Sequence, residues 1–418
     1  MPARPLRKNR DFLLLQTGQV LSTIGSESTA IAYPLVVLAI THSPAKAGIV
    51  GFARILPWAL FGLVAGVAVD RFPRKAMMLT SDVVRAAALG SVAIAAALGH
   101  LTFVHVAAVA FLEGSMYVFF NIAEIGALRS VVATEQLPTA LAAEQARYST
   151  VTIVAPPLGG SLFGIGRAFP FVAGAVSPAF SLATLLAIRT PFQEVRERDE
   201  APLREQLAEG FRFLWNRPFL RTCALMFTWT NLAFEGTFLI VIVVARHQGF
   251  SGGKIGAIIA VLGVCSLVGS ALSPRLQRLL SMRAIVLGSL WLEAGIGGFI
   301  IDPNVYVLAA LLIPMQLFLP TVNAVIIGYR VAVTPDRLTG RVNSIARSIA
   351  LCGAPLGPLA AGFLLSAYSA RTAVAVFTLL FVALAVFGSL SPSIRNAPSL
   401  SELKPNEAIE PVVPELAG

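Results

Sequence analysis

Twelve apolar runs, each near the length that crosses a bilayer, restrict what this chain can fold into. A spanning helix needs about 20 apolar residues, because hydrocarbon leaves its backbone groups no partner outside the segment. The runs fall at residues 12–40, 46–69, 76–98, 102–128, 141–166 and 169–189, then 219–245, 254–273, 283–301, 304–329, 341–366 and 370–390. Only 13% of the residues are charged, against about a quarter in a soluble globule. The first run is too long for a signal-peptide core and is expected to stay as a helix. The pattern predicts an all-α membrane protein with twelve transmembrane helices in two pseudo-symmetric six-helix bundles.

The formal net charge is +10, and its placement argues against a nucleic-acid partner. Arg4, Arg7, Lys8 and Arg10 precede the first span, and Arg71, Arg74 and Lys75 follow the second. The segment between the sixth and seventh spans, and the stretches after the eighth and tenth, hold most of the remainder. Such an excess marks the cytoplasmic side. Both termini are therefore expected in the cytoplasm, and the chain in the cell inner membrane. The division is a cytoplasmic N-terminus 1–11, a bundle 12–189, a linker 190–218, a second bundle 219–390 and a disordered tail 391–418. In the linker Leu203, Leu207, Phe211 and Leu214 recur at helical spacing opposite Arg204, Glu205, Glu209 and Arg212. This predicts an amphipathic helix on the membrane surface. Cys223, Cys265 and Cys352, with four scattered histidines, make no metal-ligand spacing. No cofactor is expected.

The two halves repeat. A shift of 208 lays Glu27 and Thr29 on Glu235 and Thr237, and Ser43, Lys46 and Gly48 on Ser251, Lys254 and Gly256. A shift of 200 lays Thr139, Ala146 and Arg147 on Thr339, Ala346 and Arg347. A shift of 198 lays Pro157-Leu-Gly159 on Pro355-Leu-Gly357. Repeated halves of this kind build transporters whose substrate site lies at mid-membrane between them.

Two local patterns stand out. Gly62 and Gly66 precede Asp70, Arg71, Arg74 and Lys75, so small residues that permit close packing lead to an acid at a helix end backed by cations. In the fifth span Ala155-Pro156-Pro157-Leu158-Gly159-Gly160 joins a kink to a close-approach surface. The first pattern resembles the second-loop signature of the major facilitator superfamily, with Pro73 where that family usually has glycine. The second resembles the helix-five motif of its exporters, with Ala155 for the leading glycine. Asp82-Val-Val-Arg85 and Gln136-Leu-Pro138 add likeness to the macrolide-efflux and enterobactin-exporter branch. The resemblance implies a gate latch formed by Gly66, Asp70, Arg71, Arg74 and Lys75, and export by proton antiport through a motif including Pro156, Pro157, Gly159 and Gly160.

Ionisable residues inside a bilayer are costly and mark functional sites. Asp82 with Arg85, and Glu144 with Arg147, are three apart and expected to pair as intramembrane staples. Glu27 and Glu235 have no such partner and are candidates for proton coupling or substrate binding, with Glu113 and Glu293. Glu293 ranks lower, since the ninth span is expected to pack peripherally. Aromatics from Tyr33 to Phe238, among them Trp58, Tyr117 and Trp229, are candidate pocket walls.

The expected function is proton-coupled efflux of an amphiphilic small molecule (a drug, siderophore or secondary metabolite), by a monomer whose partners are the substrate, protons and lipid. Alternatives are carriage of another solute (a sugar, amino acid or lysophospholipid) and a sensor or scaffold that transports nothing. No nucleophile constellation, metal set or phosphate loop supports an enzyme.

Overall fold

A computed structural model of the chain describes residues 6–192 and 203–395. Within its helices the side chains of Val67, Asp70, Leu203, Arg204, Gln206 and Asp336 lie outside that description, as do the expected linker segment 193–202 and tail 396–418. Among the described residues the chain is helical and has no strand. The first half holds α1 (Arg10–Thr41), α2 (Pro44–Arg71), α3 (Arg74–Ala97), α4 (Phe103–Val131), α5 (Leu137–Ile165) and α6 (Phe169–Ala187). The linker helix α7 (Leu203–Trp215) follows. The second half holds α8 (Pro218–His247), α9 (Gly252–Leu279), α10 (Met282–Ala294), α11 (Val305–Val333), α12 (Asp336–Cys352), α13 (Leu356–Ala367) and α14 (Ala370–Leu390), before a short α15 (Pro392–Arg395).

Eleven helical stretches of the described chain are long and apolar enough to cross a membrane. The twelfth expected span, α5, is 29 residues long but dilutes its apolar content with three prolines, a glycine pair, several hydroxyls and the charges of Glu144 and Arg147. The span expected at 341–366 is two helices, α12 and α13, because Pro355 cannot continue the hydrogen-bond ladder. The ninth span ends in a 3-10 turn over Gly295–Ile300.

Repeat-related residues perform equivalent local tasks. Ser43 caps α2 by accepting from the Lys46 N–H, and Ser251 caps α9 by accepting from the Lys254 N–H. Each cap satisfies one of the donors a helix start leaves open. Gly159 lets α5 press on the Ser28 carbonyl of α1, and Gly357 lets α13 press on α8 at Leu232 and Gly236. A side chain at either glycine would collide with backbone.

Two crossings join the halves on the face opposite the termini, here the far face. In one, Gly160 of α5 lies against Gly252 of α9, and Gly256 lies against the Pro156 carbonyl. In the other, Gly48 of α2 lies against Pro358 and Gly362 of α13, and the Ala45 N–H donates to Ser366 Oγ at 2.8 Å. Small residues let these backbones touch. Toward the terminal face the same helices part. Residues 141–150 of α5 are mostly exposed, whereas Ala155, Gly159 and Gly160 are buried. The expected close packing at Gly62 and Gly66 is absent: no atom lies within 4 Å of where their side chains would begin. They stand on the parted ends, where no helix approaches.

The linker helix differs from a simple surface-lying helix. Leu207 and Leu214 pack into the second half, while Phe211 stays exposed and stacks on Trp215 at 5.1 Å. Glu209 draws α7 onto the foot of α12 by pairing with Arg337 and, at 3.0 Å, with Arg341. The Arg337 hydrogen bond is the main influence holding the Glu209 carboxyl below its ordinary range.

Candidate functional site

Parted helices below a sealed face enclose a chamber of about 640 Å³. Its walls come from α1, α2, α3, α4 and α5 of the first half, and from α8 and the α12 region of the second. Polar side chains reach it because they recur every three or four residues along otherwise apolar helices. On α4 the series is Glu113, Tyr117, Asn121 and Glu124; on α5 it is Glu144, Arg147 and Tyr148. On α1 it is Gln19, Thr23 and Glu27, and on α2 Arg54 and Trp58.

Most of these charges are matched within the first half. Glu113, 1% exposed, lies 3.6 Å from both Arg54 and Arg85. Arg85 also reaches Asp82 at 3.4 Å, so that expected staple exists but shares its cation with Glu113. The Arg85 guanidinium lies over the rings of Tyr117 and Phe120, with 5.4 and 5.9 Å to the centroids. In the second set Arg147 is 2.8 Å from Glu124 and 3.9 Å from Glu144. The shorter bond is to another helix, a partner that spacing within α5 cannot show.

Glu27 and Glu235 are brought to the same chamber from opposite halves, and neither forms an ion pair among the described residues. Arg347, the repeat counterpart of Arg147, lies over the Trp58 ring at 5.3 Å and so links the second half to the first. Pro355 and Gly357 sit beyond it, at the junction that aims α12 toward the chamber.

Glu293 departs from the peripheral position expected for its span. It is 5% exposed and borders a second cavity of about 170 Å³ inside the second half. The aromatic candidates also divide. Trp58, Tyr117 and Phe120 face the chamber and Phe234 the second cavity, whereas Tyr33 is core, packed edge-on against Phe171. Phe119 packs on Phe61, and Trp229 is half exposed.

The residues of the loop signature lie on the terminal face of the first half. Arg74 Nη1 donates to the Gly126 and Phe192 carbonyls at 3.2 and 3.0 Å, and Lys75 Nζ to the Ile188 carbonyl at 2.8 Å. Arg71 is exposed. Lys75 thereby satisfies the carbonyl at the C-cap of α6, and Arg74 ties α4 to the chain that follows α6. In the helix-five motif, the Ala155 carbonyl accepts from Ser28 Oγ at 3.1 Å and Gly159 packs on Ser28 of α1, while Pro156, Pro157 and Gly160 form one side of the far-face seal. Arg54, Asn121 and Glu124 complete the chamber without standing among the expected sites. Their sequence signal is helical spacing: Arg54 stands four residues before Trp58, Asn121 four after Tyr117, and Glu124 three after Asn121.

Comparison with known proteins gives a consistent result. The chain matches the family model of the Major Facilitator Superfamily over two overlapping stretches, 16–292 and 231–415. It is 26% identical over 409 residues to the multidrug efflux pump Tap of Mycolicibacterium fortuitum, covering 93% of this chain and 97% of that one. It is 28% identical over 210 residues to macrolide efflux protein A of Streptococcus pyogenes, covering 49% of this chain and 51% of that one. Among solved structures, a bacterial homologue of the human lysosomal transporter Spinster, in an inward-facing and unoccupied conformation, superposes with a TM-score of 0.75. That match has 15% sequence identity and covers 93% of this chain and 98% of the other.

Proposed function

The chain belongs to the Major Facilitator Superfamily, and from that premise we propose that it expels an amphiphilic small molecule from the cell in exchange for protons. It is a multi-pass membrane transporter. The proposal adds direction, coupling and solute class. It places both termini in the cytoplasm, which makes the terminal face cytoplasmic and the conformation described here inward-open.

The observation that carries the reading is the pair Glu27 and Glu235. They face one chamber from repeat-related positions on two bodies that move against each other, and neither is neutralised by an ion pair among the described residues. An ionised carboxylate in a low-dielectric wall carries a large desolvation cost that protonation removes. That cost differs between an open and an occluded chamber, so proton occupancy biases which face is open. Arg147, Glu124 and Glu144 instead hold one another, a frame around the moving charge. Trp58, Tyr117 and Phe120 supply apolar surface for the body of the solute. The efflux activities named for Tap and for macrolide efflux protein A support export over uptake.

Everted vesicles test this. With an imposed proton gradient, the wild type is expected to accumulate ethidium and to release protons on its addition. Glu27→Gln or Glu235→Gln is expected to abolish the gradient-driven part. Full gradient-driven accumulation by both variants would refute the coupling role.

A further inference from the structure

The acids of the large chamber have cations within reach, and one acid elsewhere has none. Glu293 stands in the last turn of α10 and borders the smaller cavity, whose walls come from α8, α10 and α11. Its Oε2 has no hydrogen-bond partner. Among the described residues no Arg, Lys or His lines that cavity or pairs with Glu293. The surrounding groups are the rings of Phe227 and Phe234, the amides of Asn231 and Asn323 and the carboxyl of Glu235, among aliphatic, hydroxyl and sulfur-bearing side chains. An ionised carboxylate at such a place is strongly disfavoured unless it takes up a proton or is met by a cation from outside the chain.

We propose that this cavity receives the ammonium head of a substituted organic amine, with Glu293 as its counter-ion. The aromatic rings attract an alkylated nitrogen through their negative faces, most strongly where water is excluded. The Asn231 and Asn323 carbonyl oxygens accept any remaining N–H. The volume of about 170 Å³ suits a head group of benzene-like size. A bare divalent cation fits poorly, because among the described residues no three acidic, histidine or cysteine side chains converge to hold one. Glu235 borders both cavities, so the pocket adjoins the chamber and anchors one end of a solute whose body lies there. This assignment names a solute class for the export reading above and rests on it for transport, but not for binding.

Binding is tested on the purified full-length protein in lipid nanodiscs. The probes are benzyltrimethylammonium and its neutral isostere neopentylbenzene, titrated calorimetrically with free concentrations measured. The wild type is expected to prefer the cation by roughly tenfold or more, the size of a charge-assisted contact. Glu293→Gln is expected to erase that preference, and Glu209→Gln, on the linker helix outside both cavities, to keep it. Equal affinities in the wild type would overturn the assignment. So would a preference lost with Glu27→Gln and kept with Glu293→Gln, which would move the cation to the large chamber. Should Glu293→Gln fail to fold, Phe227→Leu is expected to weaken the cation several-fold and spare the isostere, and an unchanged cation affinity overturns the proposal. Cation binding without vesicle transport would instead defeat the export reading alone.

Discussion

Replacing Gly256 by alanine tests how the far face is held shut. The added methyl would meet the Pro156 carbonyl and lie 2.6 Å from Pro157 Cα, where ordinary contact begins at 3.4 Å. The opposing atoms are backbone on a kinked helix and cannot rotate away, so α5 and α9 must separate. Overpacking of this kind costs about 1–3 kcal/mol. Alanine also favours any helix over glycine by about 1 kcal/mol, but that gain is present whether the face is shut or open and cancels from the comparison. The net penalty falls on the shut state alone and should move the equilibrium toward an open far face by about 5- to 150-fold. Spin labels at His100 and Asp302, exposed on that face in opposite halves, should report a longer distance population by pulsed electron resonance. Gly66→Ala is the control, since a side chain there meets nothing within 4 Å. An unchanged distance distribution in Gly256→Ala, or an equal change in Gly66→Ala, would refute the reasoning.

Two other perturbations probe charge. Arg147→Met should strand Glu124 and Glu144 and cost about 3–5 kcal/mol of stability, much of which Glu124→Gln should restore when combined with it; thermal unfolding in detergent reads both. Because Glu209 is held below its ordinary range, docking of α7 is fully supported above about pH 4.3 and weakens as pH falls through the folded-state value. Hydrogen exchange over Leu203–Trp215 should therefore rise on acidification, and Glu209→Gln should show the faster exchange already at neutral pH.

The spans and the family were legible because hydropathy and the Gly66 to Lys75 signature are local properties of the chain. Helix edges moved little, since Ser43, Ser251 and Ser369 cap where the apolar runs begin. The division at Pro355 was masked by apolar residues on both sides of the break. At the site, Glu27 and Glu235 were found by their lack of a partner along their own helices. The bond from Arg147 to Glu124 and the two arginines on Glu113 were not, because such partners are set by helix packing between distant segments. Glu293 was misplaced for the same reason: the inward face of α10 is defined only by α8 and α11. The close packing expected at Gly62 and Gly66 was misjudged because it needs a neighbour, and no atom lies within 4 Å of where either side chain would begin.

The atoms that crowd the glycines and the one hydrogen bond at the two far-face crossings are electrically neutral: glycine and proline backbone, proline and phenylalanine side chains, the hydroxyls of Ser161 and Ser366, and the Ala45 amide. Screening by dissolved salt has no purchase on such a contact. A cell moving between dilute and saline surroundings would find this closure equally tight in both, while the carboxyls of Glu27 and Glu235 lie apart from it on the chamber wall. On the proposed proton exchange, the barrier to leakage and the groups that take up protons would be built from separate materials, and either could be tuned by substitution without retuning the other.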